Sequence, residues 1–197
     1  MSVIIKRVEN SPKLMSQYMN SKIKKIGLLF FLCGITFSSF NSQAKGVYLE
    51  PEAFLNQVFE NNPPKVKKVW LTKKIKTVVK EILEHDLKSI RVRYWDDKIK
   101  TAWILEEIGR DQPITIGVVV KDKKIERVNV LIFRESRGWE VKYPFFTDQF
   151  KQAYLVEKNE LDRKIDGISG ATLSVNALTK VARLALFLDA EVKNKNK

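Results

Sequence analysis

SIRVRYWDDKIKTAWILEEIGRDQPITIGVVVKDKKIERVNVLIFR, residues 89–134, is the stretch that decides the fold. Ile90, Val92 and Tyr94 alternate with Arg91 and Arg93, the period of two in which successive side chains of a strand point to opposite faces. Asp96-Asp97 ends that run, and Thr101 to Glu107 returns as a second strand. Pro113 to Val120, rich in β-branched residues, makes a third. Lys121-Asp122-Lys123-Lys124 then forms a tight turn into a fourth, Ile125 to Arg134. Parallel neighbours need crossovers of a dozen or more residues, so strands joined by turns this short are antiparallel.

Helical periodicity flanks the meander. Phe54, Leu55, Val58 and Phe59 share one face of a short helix that Asn61-Asn62-Pro63-Pro64 stops. Ile75, Val78, Val79, Ile82 and Leu83 form the apolar stripe of a helix over 72–84, and Leu178, Val181, Leu184, Ala185 and Leu188 that of one over 175–192. An antiparallel sheet of four or more strands with helices packed outside it is an α+β single domain. Residues 45–110 supply its N-terminal helices and first strands, 111–192 its core, and 193–197 a frayed tail.

Residues 1–44 read as an export signal. Lys22, Lys24 and Lys25 precede an apolar run from Ile26 to about Phe40, and Ser42 and Ala44 are the small residues of a cleavage site. A start at Met19 gives a signal of ordinary length, and cleavage is expected after Ala44 in the periplasm. The rival, an uncleaved anchor, is a poor fit because Ser38, Ser39, Asn41 and Gln43 continue the run badly. Cys33, the one cysteine, falls inside the signal, so redox chemistry in the exported protein would need a bound cofactor.

Of 36 Lys and Arg and 23 Asp and Glu, six and one fall in residues 1–44, which leaves a surplus of eight positive charges. The lysines read as spread among acidic neighbours, so we expect a solvated surface or an anionic membrane or partner, and no nucleic acid. His85 is the lone histidine, placed at a helix end where the dipole favours it. Ser/His/Asp arrangements, metal-ligand clusters and Walker-type loops do not occur, which argues against a self-contained hydrolase. No catalytic residue and no metal site is expected.

DGISGATLS, residues 166–174, lies immediately ahead of the last helix. Free N–H groups and the positive dipole end at a helix start favour an anion, and Ser169, Gly170 and Ala171 are small enough to let a phosphate approach. Plain N-capping by Ser or Thr uses the same residues without a ligand, and from the Ser-Gly-x-Thr spacing alone both readings stay open.

The whole stretch resembles the covalently flavinylated FMN-binding domain found in the sodium-translocating NADH:quinone reductase and in Rnf complexes. That family's pattern is Asp, two variable residues, a small residue, Gly, Ala, Thr, matched from Asp166 to Thr172. Arg134-Glu135-Ser136-Arg137-Gly138-Trp139-Glu140 resembles its upstream Glu-Ser-x-Gly turn, with Glu140 where the family often has a second glycine. The resemblance runs from about Ile114 to Leu188. It implies FMN joined through its phosphate to the Thr172 hydroxyl by a flavin transferase that uses FAD, with Asp166 in the recognition sequence. It also implies that Ser169, Gly170, Ala171, Leu173 and Ser174, with Glu135, Ser136, Gly138 and Trp139, surround the cofactor. Trp139, Phe145 and Phe146 are candidates to flank the ring, and core packing explains them equally.

The expectation is therefore an exported flavoprotein that relays electrons between a membrane redox partner and an extracytoplasmic acceptor. Two rivals remain: a noncatalytic module that holds FMN or another anion reversibly, and a flavin-dependent reductase acting on a small substrate.

Overall fold

A computed structural model describes residues 46–195, all within one compact unit, Gln43–Lys197. The predicted export signal and the last two residues of the predicted tail lie outside the described residues.

The elements in chain order are β1 (Gly46–Val47), α1 (Pro51–Val58), β2 (Lys67–Trp70), α2 (Lys73–Leu83), β3 (Arg91–Asp96), β4 (Lys100–Ile108), β5 (Pro113–Lys121), β6 (Lys124–Phe133), a short α3 (Pro144–Thr147) and α4 (Thr172–Lys195). Six strands form one sheet in the order β1-β6-β5-β4-β3-β2, every pairing antiparallel. The expected meander is its centre. Asp122 and Lys123 both take positive φ in the β5–β6 turn, the geometry of the two-residue hairpin whose twist matches that of the strands. The two outer strands were not legible in the sequence: β1 has two residues, and β2 is a lysine-rich edge in which only Val69 is buried.

Both faces of the sheet are covered, which is why β5 is buried from Ile114 to Val120 without alternation. On one face α2 and α4 pack against Trp103, Ile116, Val118, Val130 and their neighbours. On the other, Phe54, Leu55, Val58 and Phe59 of the α1 region lie on Ala102, Val119 and Leu131. Ile90 does not follow the expected inward pattern: it precedes β3, its carbonyl accepts the Leu71 N–H at 3.0 Å, and its side chain is 59% exposed. The alternation begins only where β3 pairs with β2, at Arg91.

Polar bridges fasten α4 to the sheet. The Thr101 hydroxyl donates to Asp189 at 2.7 Å while accepting the Trp103 indole N–H at 2.9 Å. Lys67 and Lys193 both donate to the buried Asp96, at 2.8 and 3.1 Å. Burial works against ionisation of Asp96, but these two ammonium groups and the Lys98 N–H outweigh it and hold the carboxyl below its usual range. Lys193 is thereby part of α4, not of a frayed tail, and the helix continues to Lys195.

Gly117 is the closest packing point on the α1 face. A Cβ there would lie 2.6 Å from Cζ of Phe54, a fully buried ring. Gly117→Ala should destabilise the fold by about 1–3 kcal/mol through overpacking. Urea unfolding at constant m-value measures the loss; an unchanged midpoint would show that α1 yields freely.

Candidate functional site

After β6 the chain turns through Ser136, Arg137 and Gly138 into a 3-10 turn, Trp139–Lys142. Glu135, 4% exposed, anchors this turn. Its Oε1 accepts backbone N–H bonds from Arg110, Asp111 and Gln112 at 2.6, 2.6 and 2.8 Å, so one carboxylate oxygen clasps the tip of the β4–β5 hairpin. Burial opposes ionisation of Glu135, yet the three N–H groups and the Arg110 charge together hold its carboxyl below the usual glutamate range.

The second turn is built just as locally. The Asp166 N–H donates to Gln149 Oε1 at 2.7 Å, and the Ala171 N–H closes on the Ile168 carbonyl at 2.9 Å, with Gly170 at φ 79. A positive φ is what glycine adopts without steric penalty. The Val175 N–H bonds the Ala171 carbonyl, so α4 begins at Thr172, three residues before the sequence pattern placed it. Apolar periodicity becomes visible only at Val175, whereas the backbone is already helical through Thr172, Leu173 and Ser174. Those three N–H groups have no acceptor within the helix. Ala171 and Ser174 face inward and are buried, while Thr172 is exposed and Leu173 is 49% exposed.

The two turns touch at Gly138, which also has positive φ. A Cβ on it would stand 2.6 Å from the Ser174 hydroxyl oxygen and 3.3 Å from the Ala171 Cβ, so the turns meet this closely only because the position has no side chain. Between them opens a cleft of about 250 Å³, walled by Glu135, Ser136 and Arg137 on one side and by Gly170 through Ser174 on the other. Arg110, carried there by the Glu135 clasp, completes the wall.

Two sequence motifs, whose cleft-lining residues are 33 to 39 positions apart in the chain, thus form one site. Ser169, Asp166 and Trp139 lie beside the cleft in sequence without lining it. Trp139 stands edge-on to Tyr143 at 5.7 Å, and Tyr143 stacks with the exposed Phe145 at 6.2 Å. Phe146 is not available to a ligand: it is fully buried and packs edge-on against Phe150 at 5.6 Å. His85 is elsewhere, its Nε2 3.0 Å from both oxygens of Glu107.

Sequence reasoning missed Arg110 and Arg137. Arg137 is the variable position of the Glu-Ser-x-Gly turn and was legible by adjacency; Arg110 sits in a hairpin 25 residues before Glu135, and no local signal marks it. With the α4 N–H groups and dipole, these guanidinium groups make the cleft suited to a phosphate monoester or diester.

Glu135→Gln should cost about 1–2 kcal/mol by weakening three charge-assisted bonds. The folded carboxyl is more acidic than the unfolded one, so its contribution is complete above the unfolded pKa and disappears as pH falls through the folded one. The wild-type advantage over Gln in thermal unfolding should therefore shrink with acidification; an advantage independent of pH would show that the charge contributes nothing.

Residues 109–186 match the family model described as the FMN-binding domain. No curated protein and no solved structure matches the chain. The matched stretch contains the β4–β5 turn with Arg110, β5, β6, both motif turns and α4 as far as Leu186, and β1, β2, β3 and β4 precede it. The observed cleft has what this family's ligand requires: cationic and N–H donors for a phosphate, and open space in front of Gly170. Over residues 109–186 the chain is therefore similar to the FMN-binding domain, in the stretch that builds the cleft.

Proposed function

We propose that this protein is an exported electron carrier whose FMN is esterified through its phosphate to Thr172. The observation that carries this reading is the placement of Thr172. It is exposed at the first position of α4, on the wall of a cleft that also presents Arg110, Arg137 and the free N–H groups of the helix. A hydroxyl there is accessible to a modifying enzyme, and a phosphate bonded to it meets the dipole and both guanidinium groups.

In the proposed maturation a flavin transferase brings FAD. The Thr172 oxygen forms a new bond to the phosphorus of the FMN half, the pyrophosphate bond breaks, AMP leaves and the threonine proton is released. Asp166, exposed and held by Gln149 through its backbone, is offered to the transferase as part of the recognised sequence. Bound FMN supplies transfer of one or two electrons, which this chain's own side chains do not provide. Gly138 and Ser174 keep the two turns in register, Glu135 holds Arg110 at the phosphate, and the half-buried Trp139 follows directly from that turn. Covalent attachment keeps the cofactor from being lost outside the cytoplasm, where we place the protein between a membrane redox partner and an extracytoplasmic acceptor.

Coexpression with a flavin transferase should give a protein that fluoresces on a denaturing gel and carries one FMN on the Thr172 peptide by mass. Thr172→Ala should fold with an unchanged melting temperature, because the side chain is exposed, and should carry none. Gly138→Ala should reduce loading sharply by forcing the turns apart. Flavin that is released on denaturation would assign reversible binding instead, and covalent flavin retained in Thr172→Ala would move the attachment to another residue.

A further inference from the structure

Residues 61–80 contain seven lysines and no acidic residue. Over 61–93 there are ten Lys and Arg against three Asp and Glu, whereas the remainder of 45–197 has 20 against 19. The positive surplus, which the sequence pattern had suggested was dispersed, is therefore concentrated in β2, the start of α2 and β3. This is one edge of the sheet, and it lies outside the stretch matched to the FMN-binding domain.

The pairing of β2 with β3 sets these charges side by side. Lys68 stands opposite Arg93 and Trp70 opposite Arg91, while Val69 and Val92 turn to the other face and are buried. Residues directly opposite, and residues two apart on a strand, share a face. One face of the edge thus presents Lys68, Trp70, Arg91 and Arg93 together. Like charges directly opposite each other destabilise a sheet, and among the described residues neither Lys68 nor Arg93 has an ion pair to relieve this. Trp70 is 56% exposed, with the Arg91 guanidinium 5.7 Å from its ring, and the exposed Ile90 lies at the same end of the strand pair.

Lysines on an edge strand also prevent edge-to-edge aggregation, but that role does not require an exposed tryptophan or a facing pair of cations. We propose that this edge is a docking surface for an anionic lipid bilayer. Trp70 and Ile90 enter the headgroup layer, and Lys65, Lys68, Lys73 and Lys74 lie among the lipid phosphates. Indole is at home at a membrane interface, where its apolar body and N–H are both satisfied. Lysines spread over a strand, a loop and a helix start are point charges on flexible stems, which suits a fluid array of phosphates better than a shaped protein pocket. Among the described residues no helix is long and apolar enough to cross a membrane, and the proposed contact is with the bilayer surface. It involves no residue of the cleft and does not depend on the flavin.

The test is cosedimentation with vesicles of phosphatidylglycerol and phosphatidylcholine in equal parts, and with phosphatidylcholine alone, at low and high salt. The full chain is measured beside the unit starting at Gly46, which contains both cores, so that the contribution of residues 1–45 is separated. Wild type should bind only the anionic vesicles, and high salt should release it. Lys68→Glu places a carboxylate opposite Arg93, so it should raise the melting temperature while weakening anionic-vesicle binding roughly 30-fold. Trp70→Ala should weaken binding and abolish the blue shift of tryptophan emission on vesicle addition. Wild-type binding that does not distinguish the two vesicles, or is unchanged in Lys68→Glu, would overturn the proposal. Binding to polyglutamate without binding to vesicles would overturn it in favour of an acidic protein partner.

Discussion

The site depends on the burial of α4 across the sheet. Its inner face, from Val175 through Leu178, Val181, Leu184, Ala185 and Leu188, is sealed against the β4–β6 face, and Asp189 is tied to Thr101 below it. Moving such a helix would expose several large apolar side chains, each contributing about 1.5–3 kcal/mol by burial. The position of its first turn is therefore set by the core, and Thr172 is held in place by packing far from itself.

Against that fixed helix start, the opposing turn is placed by two contacts of very different kind. Gly138 acts through what it lacks: the missing Cβ lets the chain come within reach of Ser174 and Ala171. Glu135 acts through charge, using one oxygen to collect three N–H groups of the hairpin tip. In the resemblance to the FMN-binding family this glutamate counted among the residues around the cofactor. In the structure its Oε1 is taken up by the protein backbone, so it positions Arg110 while itself remaining committed. The arrangement is economical for an anion site, because a carboxylate already saturated by N–H donors repels a neighbouring phosphate less than a free one would.

The two ends of the sheet carry different properties. The cleft belongs to the matched FMN-binding stretch, whereas the cationic edge of β2 and β3 belongs to the part of the chain that precedes it. A carrier of the kind proposed needs both a held cofactor and proximity to its partners, and separate surfaces allow each to change without disturbing the other. Asp96 joins the edge to the core, since Lys67 of β2 and Lys193 of α4 meet on it.

The antiparallel meander, the three amphipathic helical segments and the small-residue turn ahead of the last helix were legible in the chain itself. Each of these is a local pattern, a period of two, a period near 3.6, or a run of Ser, Gly and Ala, and local patterns report which face of an element must be buried. Which distant turns meet was settled by packing and strand register. Arg110 reaches the cleft through a bond to a residue 25 positions away, Phe146 goes to the core while Phe145 stays outside, and Ile90 misses the strand pattern because pairing starts one residue later. The charge surplus was countable from the sequence, but its concentration became a surface only when β2 paired with β3 and set Lys68 opposite Arg93. In each case the deciding quantity is a contact between residues far apart in the chain, made by packing and strand register, which composition and periodicity do not contain.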